Sequence, residues 1–235
     1  MPIRPFFAAS RPLLPPSGQS KKVKAMNRIP FPSMKRPLIA ILRGIKPEET
    51  AGVVGALIEN GLQAIEIPLN SPEPFKSIEI AAKMAPADVL IGGGTVLTVE
   101  AVDNMHNAGG KLLVTPNVEP DVIIRARGYD MVSMPGVFTP TEALAAARAG
   151  ATGLKFFPAS VLGPSGINAI RAILPPELVI AAVGGVSDKN FSEYTDAGIK
   201  AFGLGTSIYK PGMTAAEVAE RAKATILAYD AAVGA

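Results

Sequence analysis

From Pro37 onward, short apolar runs alternate with stretches that repeat hydrophobic positions every three to four residues. The runs are residues 38–42, 64–68, 89–93, 112–115, 131–134, 153–157, 179–183 and 201–204, and their starts lie 19 to 26 residues apart. Each run is aliphatic or β-branched, and each leads into a helical pattern. Such alternation predicts parallel strands joined by helices, and eight units close an α/β fold of the (β/α)8 TIM-barrel type. A doubly wound open sheet is the rival architecture.

The helical stretches carry start and stop marks. Ser71, Thr139 and Thr214 read as N-caps, with Glu142 and Glu217 three residues on completing capping boxes and Pro72 and Pro140 at first helical positions. Gly61, Gly109, Gly128, Gly150 and Gly198 follow helical runs as C-terminal glycines. The last helix, from 214 to about 233, closes the barrel.

The pattern is missing before the first run. Residues 1–34 contain seven prolines and no periodicity, which predicts a disordered basic, proline-rich N-terminal arm ahead of a barrel domain over 35–235. The arm has no apolar core of a secretory signal, because prolines interrupt the one candidate. Residues 1–36 hold eight Lys and Arg and no acid, while the remainder holds 15 basic and 20 acidic residues. The alkaline pI thus belongs to the arm, and nucleic-acid binding is not inferred from it. No apolar run reaches the roughly 18 residues of a membrane span, and a cytoplasmic location is expected.

Two charged residues break the apolar runs. In 153–158 (GLKFFP), Lys155 stands between Leu154, Phe156 and Phe157. Burial disfavours an ammonium, and a neutral amine attacks carbonyls to form a Schiff base. The competing reading is a lysine that snorkels to the surface. In 64–68 (AIEIP), alternation sets Ile65 and Ile67 on one face and Glu66 on the other, inside the barrel if the isoleucines pack under helices. The pair is either a buried ion pair or a nucleophile with its proton carrier.

Composition narrows the chemistry. The chain lacks cysteine and has one histidine, His106, in a helical stretch, so disulfides, thiolate chemistry and multi-histidine metal sites are excluded. Barrel active sites lie where strands end. There, Arg43 offers a fork for a carboxylate, Thr95 a hydroxyl, and 115–117 (TPN) a turn containing Pro116. Gly184 and Gly185, leading to Ser187 as a helix N-cap, then Gly205, Thr206 and Ser207, follow the seventh and eighth runs. Bare backbone in those positions predicts an anion cradle for phosphate.

Six segments in order, 37–44 (PLIAILRG), 66–72 (EIPLNSP), 92–96 (GGGTV), 114–117 (VTPN), 154–158 (LKFFP) and 182–186 (AVGGV), resemble the motifs of the 2-dehydro-3-deoxy-6-phosphogalactonate aldolases. The resemblance implies a class I, metal-independent lyase without a cofactor. Such an enzyme reversibly cleaves 2-dehydro-3-deoxy-6-phospho-D-galactonate to pyruvate and D-glyceraldehyde 3-phosphate. A homotrimer is the assembly it implies.

Carried over residue by residue, the resemblance makes Lys155 the Schiff-base lysine and Glu66 the general acid/base. Arg43 and Thr95 hold the pyruvoyl carboxylate. Pro116, Val183, Gly184, Gly185, Gly205, Thr206 and Ser207 complete the substrate site. The sister family acting on the gluconate epimer differs by an arginine where Asn70 stands and a threonine where Val183 stands. A non-catalytic phosphosugar-binding barrel is the alternative from another class, and a sugar-phosphate isomerase or epimerase is a further rival.

Overall fold

The computed structural model describes residues 28–234, so the expected disorder of residues 1–27 lies outside the described residues. Strands and helices alternate almost throughout. In order they are β1 (Leu38–Ile41), α1 (Pro47–Glu59), β2 (Ala64–Pro68), α2 (Pro74–Met84), β3 (Leu90–Gly94), α3 (Val99–Asn107), β4 (Leu112–Val114) and α4 (Pro120–Gly128). There follow β5 (Val132–Met134), β6 (Gly136–Val137), α5 (Pro140–Ala149), β7 (Gly153–Phe156), α6 (Ala159–Arg171), β8 (Val179–Val183), α7 (Phe191–Thr195), β9 (Ala201–Leu204) and α8 (Ala215–Val233).

All pairings are parallel, in the order β5-β4-β3-β2-β1-β9-β8-β7-β6. The two edges of this sheet, β5 and β6, are one chain segment interrupted at Pro135, which has no N–H to give a ladder. The Lys155 N–H donates to the Pro135 carbonyl at 2.9 Å and the Thr152 N–H to Ser133 O at 3.0 Å, so the ring closes across the break. Nine strand segments therefore make an eightfold TIM-type barrel: the expected fifth run, 131–134, gives β5, and the strand position continues past Pro135 into β6, beyond that run.

Strand alternation sorts the side chains into two apolar layers. Leu38, Ile65, Ile67, Leu154, Phe156, Phe202 and their neighbours form the larger core between barrel and helices. Ile39, Ala64, Leu112, Val114, Val132, Met134, Ala181 and Ala201 fill the barrel interior. Phe31 and Met34 pack against this inner layer. The segment containing them is further held by an Arg28 to Glu177 ion pair of 3.0 Å. Residues 28–34 thus cover the apolar floor of the barrel, something their proline-rich composition does not announce.

Two helix starts differ from the sequence reading. Thr139 and Thr214 form the expected capping boxes with Glu142 and Glu217. Ser71 does not cap α2, which begins at Pro74 after Glu73. Ser187 does not cap α7, whose first residue is Phe191, preceded by Asn190. Both serines sit in loops at the carboxyl ends of strands, and Ser71 accepts the Gly44 N–H from the neighbouring loop after β1.

Candidate active site

The carboxyl ends of the strands surround a cavity of about 700 Å³. Every substrate or catalytic residue named from the sequence lines it: Arg43, Glu66, Thr95, Pro116, Lys155, Val183, Gly184, Gly185, Gly205, Thr206 and Ser207. They come from seven of the eight barrel positions, and only the ring closure brings them together.

Lys155 points inward from β7, paired in register with Gly136 and Ala181, and is 7% exposed. Its snorkelling alternative is therefore absent. Burial holds the ammonium below its ordinary value, Glu66 opposes that effect, and the Arg43 cation adds to it. The amine also lies 5.0 Å from the centre of the Phe157 ring, which favours the charged form. Full burial of an ammonium costs on the order of 4–7 kcal/mol, whereas a cation–π contact contributes about 0.5–2 kcal/mol. Burial therefore sets the direction.

The flanking aromatic residues divide their work differently from the symmetric picture in the sequence. Phe156 is fully buried and faces the helices, while Phe157 is 38% exposed at the cavity wall. Ile39, Val114, Met134 and Ala181 border Lys155 on its inner side.

Glu66 projects inward from β2 and is 2% exposed. Burial raises its carboxyl above the ordinary 4.5, and Lys155 and then Arg43 pull it back in part. No ion pair joins Glu66 to Lys155 among the described residues. Its Oε2 is buried without a hydrogen-bond partner. A carboxyl group so placed has an elevated affinity for a proton and spare capacity to accept one. Gly94 makes room for it: a Cβ there would lie 1.3 Å from Glu66 Oε2. The glycine run in β3 is thus explained at its last position by contact with the carboxylate.

Arg43 is held from the neighbouring loop. Its Nη1 donates to Asn70 Oδ1 at 2.6 Å, and the Gly44 N–H donates to Ser71 Oγ at 2.9 Å. Asn70 and Ser71 therefore aim the guanidinium, a function that their sequence context suggests only as family difference and helix cap. Thr95 occupies φ +55°, a conformation that a β-branched residue adopts at a cost of about 1–3 kcal/mol. That strain sets its hydroxyl beside the cavity.

At the opposite side, Gly184 and Gly185 have φ +89° and +79°. A Cβ on Gly185 would meet Ser160 Oγ at 2.7 Å, so the turn admits no side chain. Among the described residues, the N–H groups of Gly184, Gly185, Val186, Gly205, Thr206 and Ser207 have no acceptor. Six unpaired amides from two adjacent loops form a concavity suited to an anion. Ser187, read from the sequence only as a helix cap, also lines this end, together with Asp188, Lys189, Lys210 and Arg221, which no motif marks. The only sequence signal of these last four is position after β8 and β9.

A family model described as KDPG and KHG aldolase matches residues 33–224. "Probable 2-dehydro-3-deoxy-6-phosphogalactonate aldolase" of Rhizobium meliloti (strain 1021) is 69% identical over 89% of this chain and 99% of its own length. "2-dehydro-3-deoxy-6-phosphogalactonate aldolase" of Escherichia coli (strain K12) is 47% identical over 85% of this chain and 97% of its own. Among solved structures, "Native KDPGal structure" superposes with a TM-score of 0.84 at 46% identity, covering 86% of this chain and 98% of that one.

Glu66 has a stability consequence. Its folded-state proton affinity exceeds the unfolded one, so its contribution is most favourable below the ordinary carboxylate range and is lost as pH rises through the folded value. Glu66→Gln removes that loss. The variant is expected to melt about 2–4 °C above the parent at pH 7.5, with the gap closing below about pH 4. Calorimetry across pH checks this, and a variant that melts lower at pH 7.5 would show instead that the carboxylate is held by a stabilising pair.

Proposed function

The chain belongs to the KDPG and KHG aldolase family, and we propose that it is the class I lyase that cleaves 2-dehydro-3-deoxy-6-phospho-D-galactonate to pyruvate and D-glyceraldehyde 3-phosphate. The observation that carries this reading is the buried Lys155 facing a cavity that also contains a buried, proton-loving Glu66. The near full-length likeness to two proteins named for that substrate sets the choice of sugar acid.

In this mechanism the neutral Lys155 amine adds to the C2 carbonyl of the substrate. Glu66 protonates the carbinolamine hydroxyl, which leaves as water and gives the iminium. The resulting Glu66 carboxylate takes the C4 hydroxyl proton. The C3–C4 bond breaks, the aldehyde departs, and its bonding electrons pass into the iminium to form an enamine. Protonation at C3 and hydrolysis then release pyruvate and restore the amine.

Binding groups fix the substrate at both ends. Arg43, aimed by Asn70, takes the carboxylate, with the Thr95 hydroxyl beside it. The amides of Gly185, Thr206, Ser207 and their neighbours take the phosphate. Pro116 lines the wall between them. A carboxylate at one end and a phosphate at the other bring C2 to the lysine.

Val183 governs the epimer. It ends β8, is 5% exposed, and faces the cavity across Gly203, whose missing side chain admits the valine methyls. A threonine of the same shape would supply a hydroxyl partner to the C4 hydroxyl of the gluconate epimer, and a site built to hydrogen-bond discriminates strongly. Valine withdraws that advantage.

The homotrimer and cytoplasmic setting belong to the same proposal. No helix among the described residues is long and apolar enough to cross a membrane. Analytical ultracentrifugation should give the mass of three chains, and a stable monomer would remove the trimer from the account. For substrate choice, the two C4-epimeric phosphorylated acids should be cleaved side by side. The galactonate epimer is expected to react faster, and Val183→Thr to raise relative cleavage of the gluconate epimer by about tenfold or more. Equal cleavage by the parent, or no change in the variant, would contradict the role given to Val183.

A further inference from the structure

The anion cradle is made of backbone, yet two side chains from outside the glycine motifs hold it in shape. Asn190, immediately before α7, donates from Nδ2 to the Gly185 carbonyl at 2.9 Å and accepts the Ser187 N–H at Oδ1, also at 2.9 Å. Arg221, in the second turn of α8, donates from Nη1 to the Thr206 carbonyl at 3.0 Å and reaches the Ser207 carbonyl at 3.5 Å. One side chain thus grips each of the two loops.

A trans peptide is planar, with its C=O and the following N–H pointing in opposite directions. Fixing the Gly185 carbonyl on Asn190 fixes the Val186 N–H, and fixing the Thr206 carbonyl on Arg221 fixes the Ser207 N–H. Both amides are among the six without an acceptor. Each side chain therefore removes a peptide's freedom to rotate and offer its carbonyl, instead of its amide, to an anion.

Arg221 has a second property. It forms no ion pair among the described residues. The acid four residues earlier on α8, Glu217, is occupied in the capping box with Thr214. The guanidinium borders the cavity alongside Lys189 and Lys210, with Asp188 the acid at that end. Glu217 feels the Arg221 charge but forms no ion pair with it, so a guanidinium tied to loop carbonyls keeps charge to offer the anion that the loops enclose.

We propose that Asn190 and Arg221 are positioning residues for the phosphate group, preorganising the two loops so that their amides converge before the substrate arrives. This rests on the phosphate reading given above and adds to it the side chains that make the cradle rigid. Loops held in the binding conformation lose less freedom on binding, so the benefit is expected in affinity for the phosphorylated substrate and not in the chemical steps at Lys155.

The test is steady-state kinetics of full-length Arg221→Met, Arg221→Lys and Asn190→Ala on the phosphorylated keto acid and on the same acid lacking phosphate. Arg221→Met and Asn190→Ala should each raise KM for the phosphorylated acid by about tenfold or more, leave kcat within about twofold, and leave kcat/KM for the unphosphorylated acid unchanged. Arg221→Lys should recover part of the loss. Equal losses on both substrates would reveal a merely structural role and overturn the proposal, as would an unchanged KM for the phosphorylated acid. If the parent enzyme itself does not prefer the phosphorylated acid, the phosphate reading fails and this proposal with it. If the parent prefers it and the variants keep the preference, this proposal alone fails.

Discussion

Burial of two ionisable side chains inside a closed ring of strands is the constraint on which the site depends. Lys155 and Glu66 enter the barrel from β7 and β2 because a pleated strand must send alternate residues to opposite faces. Once inside, the same loss of water acts on them with opposite sign. It pushes the lysine toward the free amine and the glutamate toward the acid. Those are the protonation states needed for imine formation followed by loss of water.

The rest of the molecule can be understood as keeping that interior dry below and open above. Ile39, Val114, Met134, Ala181 and their neighbours fill the barrel under Lys155 and Glu66, and residues 28–34 cover the amino-terminal end. At the upper rim the backbone does the opposite: glycines withdraw side chains, and amides remain unpaired. Rigid strands carry Lys155 and Glu66, while loops braced by Asn70, Ser71, Asn190 and Arg221 carry the groups proposed to hold the ends of the substrate. The stability cost of a buried carboxylate is borne by an extensive apolar layer between strands and helices.

Much of this is legible in the sequence, because it depends on local periodicity. The β–α alternation places all eight strand positions, and period two sets Glu66 opposite Ile65 and Ile67, inward once those pack under the helices. Glycines after β8 and β9 mark the proposed anion end without help from tertiary contacts. What the sequence conceals depends on partners far along the chain. Pro135 splits a strand whose two halves pair on opposite sides, so the apolar run 131–134 supplies only one edge of the closing sheet and the unmarked residues 136–137 supply the other. Ser71 looks like a cap by its neighbours Pro72 and Glu73, yet its hydroxyl meets Gly44 in another loop. Arg221 sits on a helix face that composition reads as solvent, and Phe31 and Met34 lie in a stretch whose prolines read as an arm. Phe156 and Phe157 look equivalent beside the lysine, but alternation sends the first to the outer core and leaves the second at the cavity.

The central claim is that Lys155 acts as a free amine on the keto acid. Its most direct measurement is reduction of the protein with borohydride in the presence of pyruvate, followed by peptide mass analysis. The account predicts one stable pyruvate-derived addition, located on the peptide that contains Lys155 and absent when borohydride or pyruvate is omitted. An addition at a different lysine, or none, would contradict it.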